Sequence, residues 1–502
     1  MPAPTLSRTE VNPSTTQPTI SPQESTTPLQ NESGFLTTAQ KARITFAAFA
    51  YLASDEEQTG RIVNILQKGD SSGVITSIGG PLAIAILRDA GVIDAGTDVS
   101  AFWAIDAESL SRTFEKTLME NQFTRHHFES SLGDYDFSIF LLQVTDVVVL
   151  NSSVEGMSNQ IAVVTRVDEQ NRVYSINNIE TDAGMTIQEV MLYDPLLPGK
   201  GSLNDWTAGQ SQTTGSPGTG GVDVWRVSSP VLEQGLDEQG FADQLFTDQI
   251  DRTITAYGGT WHILIREGEG RTIYSRLSDV QSHVGSVIKI PIAMLFFKYL
   301  EGQGISPAEY ETYLSSNGRG GRTYADLLYS MLVLSEEAAT DLMGQLLDKT
   351  GSVYPVLNSW GVMDTLVFKR YSTTEDIDIL FEGLYKGDFI TPEGRNIILK
   401  LMETYTPEDD TRLGLIRTLL PEGAHFYDKR STLIDERLVV GDAAIVSYPI
   451  LNKERVYFIV ITGYPGEKET TSTTLELAIE KMARLFWNYA DHCETFAKSI
   501  KQ

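Results

Sequence analysis

The sequence has little cysteine, no long apolar run and a deficit of positive charge. Its 502 residues contain one cysteine, Cys493, so an intramolecular disulfide is excluded. A membrane-spanning helix needs roughly 18 consecutive apolar residues. The closest run, "FSIFLLQVTDVVVL", is interrupted by Asp146. We therefore expect a chain that is not transmembrane and that folds without disulfides.

The charge balance excludes a further class of partner. The formal net charge is −28, from 67 acidic and 39 basic residues. Nucleic acid phosphates would be repelled by such a chain, so no nucleic acid partner is expected. The adjacent His126 and His127 are interpreted as a structural or surface pair rather than a metal site, and the sequence implies no metal or organic cofactor.

Composition along the chain predicts two domains and two low-complexity segments. Residues 1–34 are rich in Ser, Thr and Pro and are expected to form a disordered stalk. Residues 207–221 have the composition of a flexible linker. The domains then cover 35–206 and 222–502. No export signal is visible, but such stalks are typical of exported or surface-held proteins, so an extracellular location is expected; a plain disordered tail is the alternative.

Both domains are predicted to be α+β. The first opens with helical patterning, "TTAQKARITFAAFAYLAS", and ends in strand-like runs such as "QIAVVTRVD" and "IQEVMLYDP". In the second, strands lie near both ends, "TWHILIRE" and "RTIYSRLS" early, "DAAIVSYPI" and "RVYFIVITGY" late. These strands are expected to pair into one antiparallel sheet with helices packed around it. The last segment, "TTLELAIEKMARLFWNYADHCETFAKSI", has helical periodicity.

One stretch in the second domain calls for a chemical explanation. In "SHVGSVIKIPIAMLFFKYLEG", Ser286 and Lys289 begin an otherwise apolar helix. Residues at i and i+3 lie on the same helix face. A desolvated lysine gains neutral character and can take the proton of a serine nucleophile. The alternative is a surface pair at a helix start, because S-x-x-K alone occurs by chance in most proteins.

Two later motifs favour the chemical interpretation. Ser335 lies in "MLVLSEEAATDLM", and Lys429 leads "DKRSTL" into the late strands. In order and spacing, these segments make residues 235–502 resemble the class A β-lactamase and penicillin-binding serine-hydrolase family. That family combines S-x-x-K, S-D-N and K-T-G. The resemblance implies a helix-flanked antiparallel sheet and an acyl-transfer site.

The resemblance also implies a role for each matching residue. Ser286 would be the acylated nucleophile, and Lys289 its base or proton relay. Ser335 would pass a proton toward the leaving amine, and Lys429 would attract a substrate carboxylate. The backbone N–H groups of Ser286 and Thr432 would form the oxyanion hole.

The chain departs from the family pattern at several positions. Glu337 replaces the asparagine of the second motif, and a carboxylate there favours a charged lysine that cannot act as a base. Arg430 and Ser431 replace the small hydroxyl and the glycine of the third motif. We hypothesise that Glu337 and Arg430 pair across the cleft. Alternatively, Ser335 and the two glutamates after it simply cap a helix. The family resemblance also implies a glutamate in an E-x-x-L-N motif that activates the deacylating water. Residues 358–376 contain no such motif, so efficient β-lactam hydrolysis is not expected.

The first domain carries a second, more limited resemblance. "ITSIGGPLAIAILRDAGVI" resembles the catalytic helix of papain-like, bacteriocin-processing peptidases, in which cysteine precedes Gly-Pro. Gly79 stands in the cysteine position, and Gln160 in "NQIAVVTRVD" replaces the base histidine. A thiol mechanism needs a thiolate and a base. The resemblance therefore implies a papain-like domain with a degenerate thiol site.

Two functions follow from these observations as expectations. The first is an impaired serine hydrolase that forms an acyl-enzyme on an amide or ester, of the cell-wall peptide or β-lactam class. The second is a non-catalytic pseudoenzyme that acts as an extracellular binding or structural protein. In both cases the partner is a small molecule or peptide, and the sequence leaves the oligomeric state open.

Overall fold

A computed structural model provides the structure of the chain. It describes residues 35–66, 78–103, 107–128, 140–151, 160–197, 199–203, 221–228, 237–268, 270–404, 411–434, 438–450, 453–466 and 470–499. The predicted stalk at 1–34, and the predicted linker at 207–221 apart from its last residue, lie outside the described residues.

The N-terminal domain begins with helices and continues with strands, in the predicted order. Its helices are Thr38–Phe49, Glu56–Leu66, Gly79–Asp89 and Ala107–Glu120, with a 3₁₀ turn at Val99–Phe102. Its strands are β1 (Phe123–Phe128), β2 (Val147–Leu150), β3 (Gln160–Val163), β4 (Arg166–Val167), β5 (Val173–Thr181), β6 (Gly184–Tyr193) and β7 (Val222–Val227).

Strand pairing moves the boundary between the domains. One sheet has the order β1-β7-β2-β3, and a second has the order β4-β5-β6. The composition of the chain predicts that Val222–Val227 belongs to the second domain. In the structure this segment is β7, which pairs antiparallel with both β1 and β2. Because its backbone groups complete the first sheet, the N-terminal domain extends to Val227.

The C-terminal domain alternates helices with short strands between two blocks of long strands. Its helices are Glu238–Tyr257, Lys289–Gly302, Tyr310–Ser316, Tyr324–Leu332, Glu337–Asp348, Val353–Ser359, Thr374–Lys386, Pro392–Met402 and Ser472–Ser499. Its 3₁₀ turns are Gly285–Ile288, Pro307–Glu309, Val367–Lys369 and Arg412–Thr418. Its strands are β8 (Thr260–Glu267), β9 (Thr272–Arg276), β10 (Ser282–His283), β11 (Gly318–Arg319), β12 (Arg322–Thr323), β13 (Tyr371–Ser372), β14 (His425–Leu433), β15 (Val439–Ile450) and β16 (Lys453–Tyr464).

The long strands form the central sheet that the sequence predicts. Its order is β14-β15-β16-β8-β9, with antiparallel neighbours throughout, so early and late strands meet between β16 and β8. Alternate residues along a strand point to opposite faces. On β16, Ile459 and Ile461 pack with the helices Glu238–Tyr257 and Ser472–Ser499. Phe458 and Val460 pack with the middle helices on the other face.

The two domains share a core and a set of buried ion pairs. The apolar cluster around the last helix includes residues of the first three N-terminal helices. Arg43 lies 2.9 Å from Glu238, whose other oxygen lies 2.8 Å from His492. Arg252 lies 2.6 Å from Asp89. The domains are therefore packed against each other rather than merely tethered.

A helix crosses a lipid bilayer only if it is long and apolar enough. Within the described part of the chain, each helix is too short or too polar to cross one.

Candidate active site

Ser286 lies in a short turn at the start of a buried helix. The turn Gly285–Ile288 leads directly into the helix that begins at Lys289. Gly285 has a φ of 52°, a left-handed conformation that glycine adopts without steric cost. The apolar residues that follow bury this helix, so Ser286 is 7% exposed and Lys289 is fully buried. The fold thus places a lysine where only a specific partner can compensate for its desolvation.

The structure brings the three predicted motifs together at the Ser335 hydroxyl. Lys289 Nζ lies 3.3 Å from Ser335 Oγ and donates to the Ser335 carbonyl oxygen at 2.6 Å. Lys429 Nζ, from β14, donates to Ser335 Oγ at 2.8 Å. Ser335 itself has a φ of 56°, a left-handed conformation that is uncommon for a residue with a side chain. Two ammonium groups therefore converge on one serine.

This arrangement overturns the simple helix-cap explanation of Ser335. The helix Glu337–Asp348 has Glu336 as its N-cap, without a side-chain capping bond. The Ser335 hydroxyl instead bonds the lysines described above. Ser335 therefore belongs to the site and does not cap the helix.

Glu337 forms a different ion pair from the one predicted. One carboxylate oxygen lies 2.8 Å from Lys289 Nζ, and the other bonds the guanidinium of Arg370. Among the described residues, the ion-pair partners of Glu337 are thus Lys289 and Arg370, and the predicted pairing with Arg430 is wrong. Burial raises the pKa of Glu337, but the hydrogen bonds from Arg370 and Lys289 outweigh burial and leave the pKa below its usual value. Glu337 is a carboxylate at neutral pH.

Two opposing effects act on the charge of Lys289. Burial lowers the pKa of Lys289, and the hydrogen bond and negative charge of Glu337 partly restore it. The family pattern has a neutral asparagine in the position of Glu337. Such a residue would leave the effect of burial on the pKa of Lys289 largely uncompensated. Glu337 thus favours the ammonium form, as the sequence analysis expected.

The Ser431 hydroxyl accepts a hydrogen bond from the first donor of the oxyanion hole that the family resemblance implies. Ser431 Oγ accepts the backbone N–H of Ser286 at 2.8 Å. Ser431 Oγ also lies close to Gly285, so that a Cβ added to Gly285 would collide with it. Glycine in the Ser431 position would leave this N–H free for a substrate oxygen. The side chain instead satisfies it from within the protein.

Lys429 is a buried cation at the base of the cleft. It is 4% exposed, and burial together with the charge of Lys289 lowers the pKa of Lys429 to about 8. Among the described residues, its hydrogen-bond partners are neutral oxygens, of Ser335 at 2.8 Å and of the Arg430 backbone at 3.3 Å. The charges of Asp428 and Asp442 partly oppose this shift of the pKa of Lys429, but among the described residues no carboxylate lies within ion-pair distance of it, which favours the approach of an anion.

Sequence reasoning missed two arginines of the site. Arg370 bonds Glu337, as described above. Arg412 donates to the Ser431 carbonyl oxygen at 3.0 Å and the Thr432 hydroxyl at 2.6 Å, and it pairs with Glu476 at 2.7 Å. Arg412 therefore fixes the edge of β14 that borders the cleft. No motif identifies either arginine, since their partners lie more than ten residues away in sequence.

An open cleft of about 690 Å³ lies above these groups. It is lined by Ser286, Ser335, Glu337, the segment 428–432, Arg412 and several apolar residues. A volume of this size accommodates a small organic ligand. The predicted serine is thus in contact with a cavity rather than sealed in the core.

The match to known proteins falls on the domain that holds this cleft. Residues 245–490 match the model of the beta-lactamase enzyme family. The matched segment, which is slightly under half of the chain, is thus similar to this family. This match confirms the family resemblance of the second domain, and a search among curated proteins gives no match.

Solved structures similar to the chain are also β-lactamases. One from Chitinophaga pinensis is 18% identical, covers 48% of this chain and 98% of its own, and has a TM-score of 0.39. One from Sphaerobacter thermophilus is 20% identical, with coverage of 47% and 95% and a TM-score of 0.37. A variant of the last common ancestor of Gram-negative bacteria class A β-lactamase is 18% identical, with coverage of 49% and 98% and a TM-score of 0.40.

The candidate thiol site of the N-terminal domain lies outside the β-lactamase family match. The helix that begins at Gly79 packs against β3, which begins at Gln160. A Cβ at Gly79 would lie 2.7 Å from the carbonyl oxygen of Ile161. His127 lies elsewhere, on β1, with Nδ1 2.6 Å from Asp223. The two predicted positions therefore come together, but the comparisons do not support the papain-like resemblance, which stays a prediction.

Proposed function

We propose that the β-lactamase family domain binds an anionic acyl-type ligand without hydrolysing it. The observation that carries this proposal is the hydrogen bond from the Ser286 N–H to Ser431 Oγ, at 2.8 Å. Acyl transfer requires donors aimed at the developing oxyanion, and loss of one such donor costs about 10²–10³ in kcat. A substrate carbonyl would have to displace the Ser431 hydroxyl before this donor could act.

The state of Lys289 supports the same conclusion. A general base must be neutral to accept the proton of Ser286. Lys289 is fully buried and lies 2.8 Å from the Glu337 carboxylate, so deprotonation would leave that carboxylate without one of its two cationic partners. The candidate base, Lys289, is thus paired with Glu337, and the oxyanion donor, the Ser286 N–H, is bonded to Ser431.

Charge in the cleft supports the class of ligand. The chain has a net charge of −28, yet Lys429, Arg430 and Arg412 all line this cavity. The two acidic residues that line it, Glu337 and Asp428, are paired with arginines. An acylated peptide with a free carboxylate, of the cell-wall type that the family resemblance implies, would place its carboxylate against Lys429.

A second candidate is slow, stoichiometric acylation of Ser286. It is favoured by the pKa of about 8 for Lys429, which lies 2.8 Å from the Ser335 hydroxyl. Above pH 8 a neutral amine is available at the site. The Ser286 oxygen would then attack the acyl carbonyl, the serine proton would pass to the departing group, and an acyl-serine ester would remain.

Intact-mass spectrometry of the full chain distinguishes the two candidates. The protein is incubated for hours with a penicillin and, separately, with a fluorophosphonate, with Ser286→Ala as the control. We expect no adduct and no hydrolysis of a chromogenic cephalosporin. An adduct that Ser286→Ala abolishes supports the second candidate, and sustained hydrolysis contradicts both.

Calorimetry tests the binding function directly. We expect an N-acetylated dipeptide to bind the full chain and to lose about tenfold or more in affinity in Lys429→Met, because that change removes the buried cation. Equal affinity in the two proteins would overturn the assignment of this cleft.

A further inference from the structure

We propose that the ligand of this cleft is a carboxylate that carries an apolar chain. This inference rests on the proposed binding function and specifies its ligand. The carboxylate would lie against Lys429, which forms the cationic floor of the cleft. The chain would lie along an apolar wall formed by Leu332, Val333, Leu334, Leu401 and Met402.

The apolar wall comes from two separate segments of the chain. Residues 332–334 connect the end of one helix to Ser335, and Leu401–Met402 end the helix Pro392–Met402. All five side chains line the same cavity as Ser286 and β14. A ligand anchored at Lys429 therefore has apolar surface within the same cleft.

Leu334 is the least covered member of this wall. It is 59% exposed although it lines a cleft, whereas Leu332 is 3% exposed and Met402 is 2% exposed. A large apolar side chain gains free energy when a ligand removes it from water. Leu334 would contribute this gain only to a ligand that carries an apolar portion.

The charges on the floor specify the other end of the ligand. Glu337 pairs with Lys289 and Arg370, and Asp428 pairs with Arg417 at 3.0 Å. Among the described residues, Lys429 has no carboxylate within ion-pair distance. The floor therefore favours an anion, and a cationic amphiphile would be repelled.

A chain-length series of carboxylates tests the inference in the full-length protein. Acetate, hexanoate, octanoate and decanoate are titrated below their micellar concentrations by calorimetry. Affinity should rise about two- to fourfold for each added methylene, up to the length of the apolar wall. Dodecyltrimethylammonium should bind at least tenfold more weakly than decanoate.

Two leucine variants locate the contact. Leu334→Ser should weaken decanoate binding about five- to tenfold and leave acetate unchanged. Leu196→Ser is the matched control, because Leu196 is 72% exposed in the N-terminal domain, and it should change neither affinity. Circular dichroism of both variants verifies that they are folded.

The outcomes separate this inference from the proposed function. Equal affinity along the series, with N-acetylated dipeptide binding still lost in Lys429→Met, would overturn the apolar specificity and leave the binding function intact. Decanoate binding that persists in Lys429→Met, or that dodecyltrimethylammonium matches, would overturn the inference as nonspecific adsorption. Failure of the dipeptide and of every carboxylate to bind would overturn both.

Discussion

The serine cleft and the Gly79 position differ in which chemical groups each of them contains. In the cleft, the serine and both lysines are present, and internal hydrogen bonds engage the groups they would use. At Gly79 the reactive side chain is absent, and the carbonyl oxygen of Ile161 lies too close to admit one. Substitutions at Ser431 and Glu337 could therefore free groups that are already in place in the cleft. At Gly79, a side chain would require the helix and β3 to move apart.

The contrast also explains what each region can still do. Side chains that satisfy one another leave a formed cavity with charge at its base, and such a cavity can bind a ligand. A glycine packed directly against a strand offers only contact between helix and sheet. We accordingly attribute ligand binding to the cleft, and packing to the helix that begins at Gly79.

The largest effect on stability is expected at Gly79. Gly79→Ala should lower the free energy of unfolding by about 1–3 kcal/mol, because the new Cβ forces the helix away from β3. Gly60→Ala, in a helix with open space around the added atom, should instead raise it by about 0.5–1 kcal/mol. Urea unfolding of both variants measures the difference. Equal effects would show that Gly79 is not sterically constrained.

The pH dependence of binding tests whether the cleft, unlike the Gly79 position, binds its ligand through a cation. Burial lowers the pKa of Lys429 to about 8, so this residue is charged below pH 8 and neutral above it. The affinity for an N-acetylated dipeptide should therefore be constant from pH 6 to 7.5. It should then fall by up to about tenfold per pH unit above 8. Titrations between pH 6 and 10 measure this profile, and a flat profile would contradict the role of Lys429.

The smallest effect is expected at Glu337. Glu337→Gln should lower the free energy of unfolding by about 1 kcal/mol, because buried Lys289 loses its charged partner while the glutamate itself is half exposed. Glu336→Gln is the matched control, since its pair with Arg322 lies near the surface, and it should cost less than about 0.5 kcal/mol. Urea unfolding again provides the measurement. A larger effect at Glu336 would contradict the pairing assigned to Lys289.

Much of the central sheet and of the cleft could be predicted from sequence. β8, β15 and β16 are apolar runs whose hydrophobicity identifies them as buried strands. The motifs at Ser286, Ser335 and Lys429 keep a spacing that the family requires, so their convergence followed from the resemblance.

The contacts that Arg370 and Arg412 make at the cleft could not be predicted in the same way. Arg370 and Arg412 reach the site from left-handed backbone conformations, with φ values of 60° and 55°. Neither conformation is readable from an arginine in the sequence. The position of β7 was missed for a related reason: composition identifies a linker but does not determine which strands pair across it.

Covalent labelling of Ser286 in a variant without the side-chain contacts of Ser431 and Glu337 is the most direct test of the proposal that they prevent catalysis. The double variant Ser431→Gly/Glu337→Asn frees the Ser286 N–H and removes the carboxylate beside Lys289. Its rate of fluorophosphonate labelling, followed by intact mass with Ser286→Ala as the control, should exceed that of the natural protein by at least about 100-fold. An unchanged rate in a double variant that still binds the N-acetylated dipeptide would show that these two contacts do not hold the site inactive.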